Sequence, residues 1–216
     1  MSRVLDKRLS YVQDDLIKMA SIVEKQIFNS VEALKNHDEV LANKIIKNDD
    51  VVDSMQKQLE EKSIKLIAQN QPLAIDLRNI FTTTKIITDL ERMADHAVDI
   101  AKIVLKIGQE PYIKNLRDII LMAEKVQHMI NFSIDTYISG DVEEAYKICI
   151  MDNEVDQLCS RIFDELMKLS AQDVNSNQIS QLLFVSKYLE RVADHCTNIC
   201  EFTIYLKTGN YVDLNE

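Results

Sequence analysis

The chain has 216 residues, with 35 acidic and 25 basic side chains and a formal net charge of −10. Nucleic acids and anionic membrane surfaces attract clustered Lys and Arg, so this charge argues against both as partners and favours cations. A hydrophobic content of 46% can bury a sizeable core, while 3 Gly, 2 Pro and no Trp leave few residues for turns. The composition therefore predicts an all-α protein of long helices and short connections.

The N-terminus, Met-Ser-Arg-Val-Leu-Asp-Lys-Arg, lacks the apolar stretch of a signal peptide. No run of residues approaches the roughly 18 apolar residues that a membrane-spanning helix needs. We therefore expect a cytoplasmic protein that does not insert into the membrane.

Apolar residues at helical spacing predict six long antiparallel helices. The first five cover about residues 4–35, 38–68, 72–107, 112–138 and 141–169. The sixth helix follows a polar turn at 171–177 and ends near Lys207. Asp38 and Asp141 are expected helix caps, and Pro72 is expected in the first turn of the third helix. The simplest arrangement is two tandem three-helix bundles, at 1–108 and 112–209, with a short tail at 210–216.

One stretch occurs twice, and it lies on the last helix of each predicted bundle. Residues 90–101 read LERMADHAVDIA and residues 189–200 read LERVADHCTNIC, with seven identities at an offset of 99 residues. An internal repeat at this spacing indicates two similar structural units. Within the first copy, Glu91, Asp95 and Asp99 fall within about 80° of one another on a helical wheel.

Acids four residues apart repel each other by about 0.2 to 0.5 kcal/mol per pair in an isolated helix, so this acidic edge favours a counter-charge or a cation. A second pair of acids repeats on the middle helices at an offset of 103 residues. In an antiparallel hairpin, residues at equal distance from the turn lie at the same height. The midpoints between the two acidic pairs are residues 72 and 173, both inside predicted turns.

Two clusters of four carboxylates follow from this geometry. The first cluster is Asp49, Asp53, Glu91 and Asp95, and the second cluster is Asp152, Asp156, Glu190 and Asp194. Clustered carboxylates raise one another's pKa or recruit cations. An all-oxygen ligand set favours Mg, Ca, Mn or Fe. A solvated acidic face has the same spacing, so the sequence leaves the metal interpretation and the solvated one open.

Other polar residues near the repeat receive weaker interpretations. Arg92 and Arg191 are expected to brace acids such as Asp89 or Asp95. His96 and His195 could extend the acidic sites as nitrogen ligands, but they point about 140° away from the glutamates on the wheel, which favours packing or partner contact.

Asp76 and Arg78, which follow Pro72, have no counterparts in the second half. Asp76 is expected to be an ordinary first-turn acid, and no role is assigned to Arg78. The four cysteines lie in the second half, and Cys196 and Cys200 are one turn apart beside His195. A soft-metal site is conceivable there, but reduced thiols in the core of a cytosolic protein are favoured.

At the repeated stretch the chain resembles the PhoU family, the cytoplasmic accessory and regulatory proteins of bacterial phosphate uptake. The family signature, Leu/Ile-Glu-Arg-hydrophobic-small-Asp, matches 90–95 and 189–194. Further similarity lies in Gln71-Pro72 followed by Asp-Leu-Arg at 76–78, and in the closing segment 198–202. The chain departs from the family where Ala94 and Ala193 replace a frequent Gly, a small-for-small change.

The resemblance implies two three-helix bundles, a homodimer, and Asp/Glu-x-x-x-Asp motifs that hold metal ions, carried over onto the eight acids of the two clusters. Asp99 and Asn198 are possible additional ligands, and Asn198 could ligate only through a neutral carbonyl oxygen. The implied cofactors are divalent or trivalent ions such as Mg, Mn, Fe or Zn. The implied partners are the ATPase subunit of the phosphate ABC transporter, which would bring the protein to the inner face of the membrane, and a sensor histidine kinase.

Two other functions stay open from the sequence. A carboxylate-bridged metalloenzyme is disfavoured, because di-iron bundle enzymes use Glu-x-x-His and Glu124 and His128 are four residues apart. No Gly-rich phosphate loop or nucleophile elbow is present in the sequence. A plain helical scaffold with solvated acids is the third possibility. We expect a regulator that is not an enzyme.

Overall fold

The structure, a computed structural model, describes residues 4–171 and 175–214, and only the backbone of Val4. Across these residues the chain forms helices and no strands, which confirms the all-α prediction. The helices are α1 (Val4–Asn36), α2 (Glu39–Lys47), α3 (Asp49–Gln69), α4 (Ala74–Ile107), α5 (Arg117–Ser139), α6 (Val142–Ala145), α7 (Ile148–Ser170) and α8 (Ser176–Thr208). Within the described ranges no helix is long and apolar enough to cross a membrane.

The second predicted helix, 38–68, is broken into α2 and α3, so its prediction as one continuous helix was wrong. At the break, the backbone N–H of Asn48 donates to the carbonyls of Lys44 and Ile45 at 3.1 Å. Asp49 and Asp50 then occupy the first turn of α3. Acidic side chains are favoured there by the positive end of the helix dipole, which stabilises a new helix start at this point.

The fifth predicted helix, 141–169, is broken in the same way into α6 and α7. Asp141 caps α6 as predicted, since its carboxylate accepts from the backbone N–H groups of Glu143 and Glu144. The short helix then closes when the N–H of Lys147 donates to the Glu144 carbonyl at 2.9 Å. The cap predicted at Asp38 is also present, with Leu41 donating to the carboxylate at 2.8 Å.

Two helix starts differ from the prediction. Pro72 lies before α4 rather than in its first turn, because the N–H of Leu73 donates to the Asp76 carboxylate at 2.8 Å and starts the helix at Ala74. α5 starts at Arg117 rather than 112. The preceding segment is held on α8 instead, where Gln178 accepts from the N–H of Ile113. The turn residue 173 lies outside the described residues.

The predicted arrangement as two three-helix bundles is confirmed. The pair α2 and α3 takes the place of one predicted helix, and the pair α6 and α7 takes the place of another. α4 packs against α1, α2 and α3, and α8 packs against α5, α6 and α7. The two bundles also contact each other, through α4 against α8 and α1 against α5, so the apolar core is continuous between the halves. The boundaries at 1–108, 112–209 and 210–216 stay a prediction.

The structure gives Arg78 the assignment that the sequence lacked. Its guanidinium lies over the ring of Tyr205, 5.5 Å from the centroid, and Tyr205 stacks on Tyr211 at 4.0 Å. Gly209 has a φ of 78°, and an added Cβ there would lie 3.0 Å from the guanidinium. Arg78 therefore joins the start of α4 to the end of α8 and the segment that follows.

Candidate functional site

The first cluster forms between the start of α3 and the middle of α4. Burial raises the pKa of Asp49, and the nearby charges of Asp53 and Asp95 raise it further. The pKa of Glu91 is raised by burial and then by Asp95, with weaker contributions from the two α3 acids. The four carboxylates that the hairpin geometry placed at one height therefore lie close enough to repel one another.

The second cluster forms in the same way between α7 and α8, but deeper. Only 8% of Asp152 is exposed. Burial raises the pKa of its carboxyl group to about 6, helped by the charges of Asp156, Asp194 and Glu190. The pKa values of Asp156 and Asp194 are also raised, by burial first and by Glu190 second. The four predicted side chains therefore lie close enough for their charges to act on one another here as well.

Three carboxylate oxygens in the clusters are buried, namely Glu91 Oε2, Asp152 Oδ1 and Glu190 Oε2. Arg92 contacts the first and Lys187 contacts the third, so among the described residues Asp152 Oδ1 is the one with neither a hydrogen bond nor an ion pair. A buried acceptor without a hydrogen bond costs about 1–3 kcal/mol, and more when the group is charged. The second cluster therefore contains one oxygen, Asp152 Oδ1, that a cation would stabilise.

Each cluster also contacts one cationic side chain of the protein. Arg92 braces Asp95, as predicted, through Nη1 to Oδ2 at 2.9 Å, and its Nε lies 3.4 Å from Glu91 Oε2. Arg191 forms no ion pair within 4–171 and 175–214, so the same prediction fails for the second copy. In the second cluster the Nζ of Lys187 pairs with Glu190 Oε2 instead.

The residues present fit a metal ion in the chemistry of their donor atoms. Both clusters are all-oxygen sets, as hard or borderline cations require, and Asp152 Oδ1 of the second cluster accepts no hydrogen bond. Across the described part of the chain, no three His, Cys, Asp or Glu side chains are arranged around one point as metal ligands. The assignment of the eight acids as metal ligands stays a prediction.

The two possible additional ligands lie in the groove between α4 and α8. Asp99 accepts from Lys102 at 3.0 Å, and Asn198 donates through Nδ2 to Asp89 at 3.3 Å. The side chains of Asp99 and Asn198 are therefore each hydrogen-bonded to a residue that is not one of the four acids of its cluster.

His96 and His195 pack between the two halves, with ring centroids 6.0 Å apart. His195 Nδ1 lies 2.8 Å from Asp89 Oδ1, and His96 stacks on Tyr188 at 5.3 Å. Burial, with the nearby charges of His195 and Arg191, lowers the pKa of His96 to about 4. The packing role fits these contacts, while the Asp89–His195 pair was missed because periodicity within one helix says nothing about its neighbour.

The cysteines are free thiols, and Cys196 and Cys200 are buried in the core side of α8. Burial raises the pKa of Cys200 to about 12 and that of Cys196 well above its usual range. Because a thiolate is the metal-binding form, these environments favour the core interpretation.

Comparison with known proteins decides the family. The PhoU domain matches residues 16–104 and 119–203, one match in each half. The chain belongs to the PhoU family. The resemblance at the repeated signature is thereby confirmed, and so is the match of fold.

Relatives cover the chain from end to end. A protein of Clostridium acetobutylicum named "Phosphate-specific transport system accessory protein PhoU homolog" is 48% identical over 216 residues, with 99% of both chains covered. The homologue of the same name from Aquifex aeolicus is 38% identical, with coverage of 96% of this chain and 95% of the relative.

Two crystal structures of PhoU proteins have the same fold. That of the phosphate transport system regulatory protein PhoU from Streptococcus pneumoniae superposes with a TM-score of 0.91 at 27% identity, covering 97% of this chain and 99% of that one. PhoU from Pseudomonas aeruginosa gives a TM-score of 0.90 at 28% identity, with coverage of 95% and 99%.

Proposed function

We propose that this PhoU-family protein is a cytoplasmic, non-catalytic regulator of phosphate uptake and phosphate-starvation signalling. It acts by contact with the ATPase subunit of the phosphate ABC transporter, at the inner face of the membrane, and with a sensor histidine kinase. The main support is the full-length similarity to proteins named as accessory to the phosphate-specific transport system. A homodimer is part of the proposal and is tested by the mass of the purified protein in solution.

Metal binding by the two clusters is the second part of the proposal. Asp49, Asp53, Glu91 and Asp95 hold one site, and Asp152, Asp156, Glu190 and Asp194 hold the other, with Mg, Mn, Fe or Zn as the candidate ions. A bound ion supplies positive charge between two helices of a bundle. The observation that carries this part is the buried oxygen Asp152 Oδ1, which accepts no hydrogen bond, together with the mutual rise in pKa of the acids in each cluster.

The regulatory part is tested in a bacterium that lacks its own PhoU protein and carries a reporter of phosphate-starvation genes. Expression of this chain is expected to lower the reporter signal at plentiful phosphate. The transporter ATPase subunit is expected to co-purify with it. An unchanged reporter together with absent co-purification would contradict the proposal, and steady turnover of a phosphate ester by purified protein would contradict its non-catalytic part.

The metal part is tested by elemental analysis of protein purified without chelator or affinity metal. Wild type is compared with Glu91→Ala/Asp95→Ala/Glu190→Ala/Asp194→Ala, in which bound metal is expected to disappear while helicity remains. A matched control removes four exposed acids outside the clusters, Asp14→Ala/Glu124→Ala/Asp135→Ala/Asp164→Ala. Equal metal content in both variants, or a wild type that takes up no added ion, would rule out these ligands.

A further inference from the structure

A cleft lies between α1, α2 and the first turn of α3, and the described residues that line it belong to neither carboxylate cluster. Its volume is about 440 Å³, within the range of pockets that hold small organic molecules. Four apolar side chains form its floor, namely Ile22, Leu41, Ile45 and Val51. The floor can therefore bury the apolar part of a small ligand.

Six polar side chains of the described residues line the same cleft, and none of the six is acidic. They are Ser21, Lys25, Gln26, Asn29, Lys44 and Asn48. Within 4–171 and 175–214, none of these side chains forms a hydrogen bond or an ion pair. By contrast, Lys102 and Lys125, which line other clefts, are each paired with an acid. In a chain with a net charge of −10, two unpaired lysines in one cleft indicate a site for an anion.

Gln26 is the buried member of the polar set. It is 7% exposed, and its Oε1 accepts no hydrogen bond from the described residues. A buried acceptor without a donor costs free energy, which a new hydrogen bond would recover. Because Gln26 lines the cleft, a ligand that carries an N–H donor could provide that bond. The cleft thus combines an apolar floor, two cations and a buried acceptor.

We propose that this cleft binds a nucleotide whose base carries an amino group. The phosphate lies between Lys25 and Lys44, the base lies on the apolar floor, and its amino group donates to Gln26 Oε1. A glutamine amide pairs with adenine through two hydrogen bonds, so an adenine nucleotide is the first ligand to test. The site is independent of the proposed metal binding and partner contacts, and it gives the regulator a small-molecule ligand.

The test titrates AMP into the full chain by isothermal calorimetry. A chelator is present so that the carboxylate clusters hold no metal, and saturable binding is expected. Three comparison ligands each lack one feature of AMP: adenosine lacks the phosphate, inorganic phosphate lacks the base, and IMP lacks the amino group. Each is expected to bind at least about tenfold more weakly than AMP, because each loses a charge-assisted or buried contact.

Lysine variants locate the phosphate. Lys25→Gln/Lys44→Gln is expected to weaken AMP binding at least about tenfold, since two charged donors are lost. Lys7→Gln/Lys47→Gln is the matched control, because it removes two exposed lysines of the same two helices that do not line the cleft. Its Kd is expected to stay within about twofold of wild type, since distant exposed charges are screened.

A variant of the buried amide locates the base. Gln26→Leu keeps a similar volume and removes the acceptor, so it is expected to weaken AMP binding about tenfold without a fall in Tm. A purely structural role of Gln26 would give the opposite result, a lower Tm with an unchanged Kd.

The outcomes separate this inference from the proposed regulation. No saturable AMP binding by wild type would overturn the nucleotide site and leave the partner contacts and metal sites as they are. An equal loss in the two lysine double variants would reduce the effect to net charge and overturn it as well. AMP binding that needs metal, or that survives both Gln26→Leu and Lys25→Gln/Lys44→Gln, would place the nucleotide outside this cleft.

Discussion

The two carboxylate clusters share a sequence motif but differ in depth and in electrostatic environment. Asp49 is the first residue of α3 and is half-buried, and burial raises the pKa of its carboxyl group. Asp152 lies one turn inside α7, is buried, and has a pKa raised to about 6. The breaks before α3 and α7 fall at different distances from the acids, so a duplicated sequence does not give duplicated sites.

Metal binding gives the largest expected effect and tests the clusters one at a time. At a free Mn²⁺ concentration a hundredfold above its Kd, each occupied site adds about 2.7 kcal/mol to the free energy of unfolding. Glu91→Ala/Asp95→Ala and Glu190→Ala/Asp194→Ala are each expected to lose the Mn²⁺-dependent stabilisation that one cluster contributes. Urea unfolding with and without Mn²⁺, followed by circular dichroism, measures this. An identical Mn²⁺ effect in wild type and both variants would place the ion elsewhere.

The contact between the halves is asymmetric in the same way, and Asp89 tests it. Asp89 pairs with His195, while the equivalent residue in the second copy, Tyr188, stacks on His96. Asp89→Ala is expected to lower the free energy of unfolding by about 2 kcal/mol, since a buried hydrogen bond to a charged group is lost. A double-mutant cycle with His195→Ala isolates the pair. Additive losses in the cycle would show that the two side chains do not couple.

Asp152 should destabilise the metal-free protein at neutral pH. A rise in pKa from 3.8 to about 6 is worth about 3 kcal/mol, and partial solvent screening reduces this to about 1–2 kcal/mol. Asp152→Asn is therefore expected to stabilise the metal-free chain at pH 7 by about that amount. Asp49→Asn is expected to gain less stability, because Asp49 is only half-buried. Urea unfolding measures both variants. Equal increases in the free energy of unfolding would show that the difference in burial between the two clusters does not affect stability.

The carboxyl group of Asp152 also makes the free energy of unfolding depend on pH. Its pKa is higher in the folded state, so its stabilising contribution is complete below about pH 4 and is lost as the pH rises through about 6. The difference in free energy of unfolding between Asp152→Asn and wild type should therefore grow from pH 4 to pH 7 and then level off. A difference that is constant over this range would mean that Asp152 has an ordinary pKa.

Much of this arrangement could be predicted from the sequence because it depends on spacing within a hairpin. The midpoints at 72 and 173 were enough to place Asp49 with Glu91 and Asp152 with Glu190. The break at Asn48 could not be predicted from apolar spacing, since Ile45 and Val52 are buried on either side of it. Only the Asn-Asp-Asp run at 48–50 indicated a new helix start.

Contacts that cross between elements were beyond the sequence. The Asp89–His195 pair joins residues 106 positions apart, and it depends on α4 packing against α8. The direction of Lys187 is a second example, because a lysine three residues before a glutamate has many allowed side-chain conformations.

Arg92 offers the smallest expected effect, and it tests how strongly an exposed cation acts on the first cluster. Its side chain is 58% exposed and pairs only along α4, so Arg92→Gln is expected to lower the free energy of unfolding by no more than about 0.5 kcal/mol. Because it does not act across the hairpin, its removal is expected to change the Mn²⁺ Kd of the first cluster by less than about threefold. A tightening of more than about tenfold would show that Arg92 competes with the ion for Glu91 and Asp95.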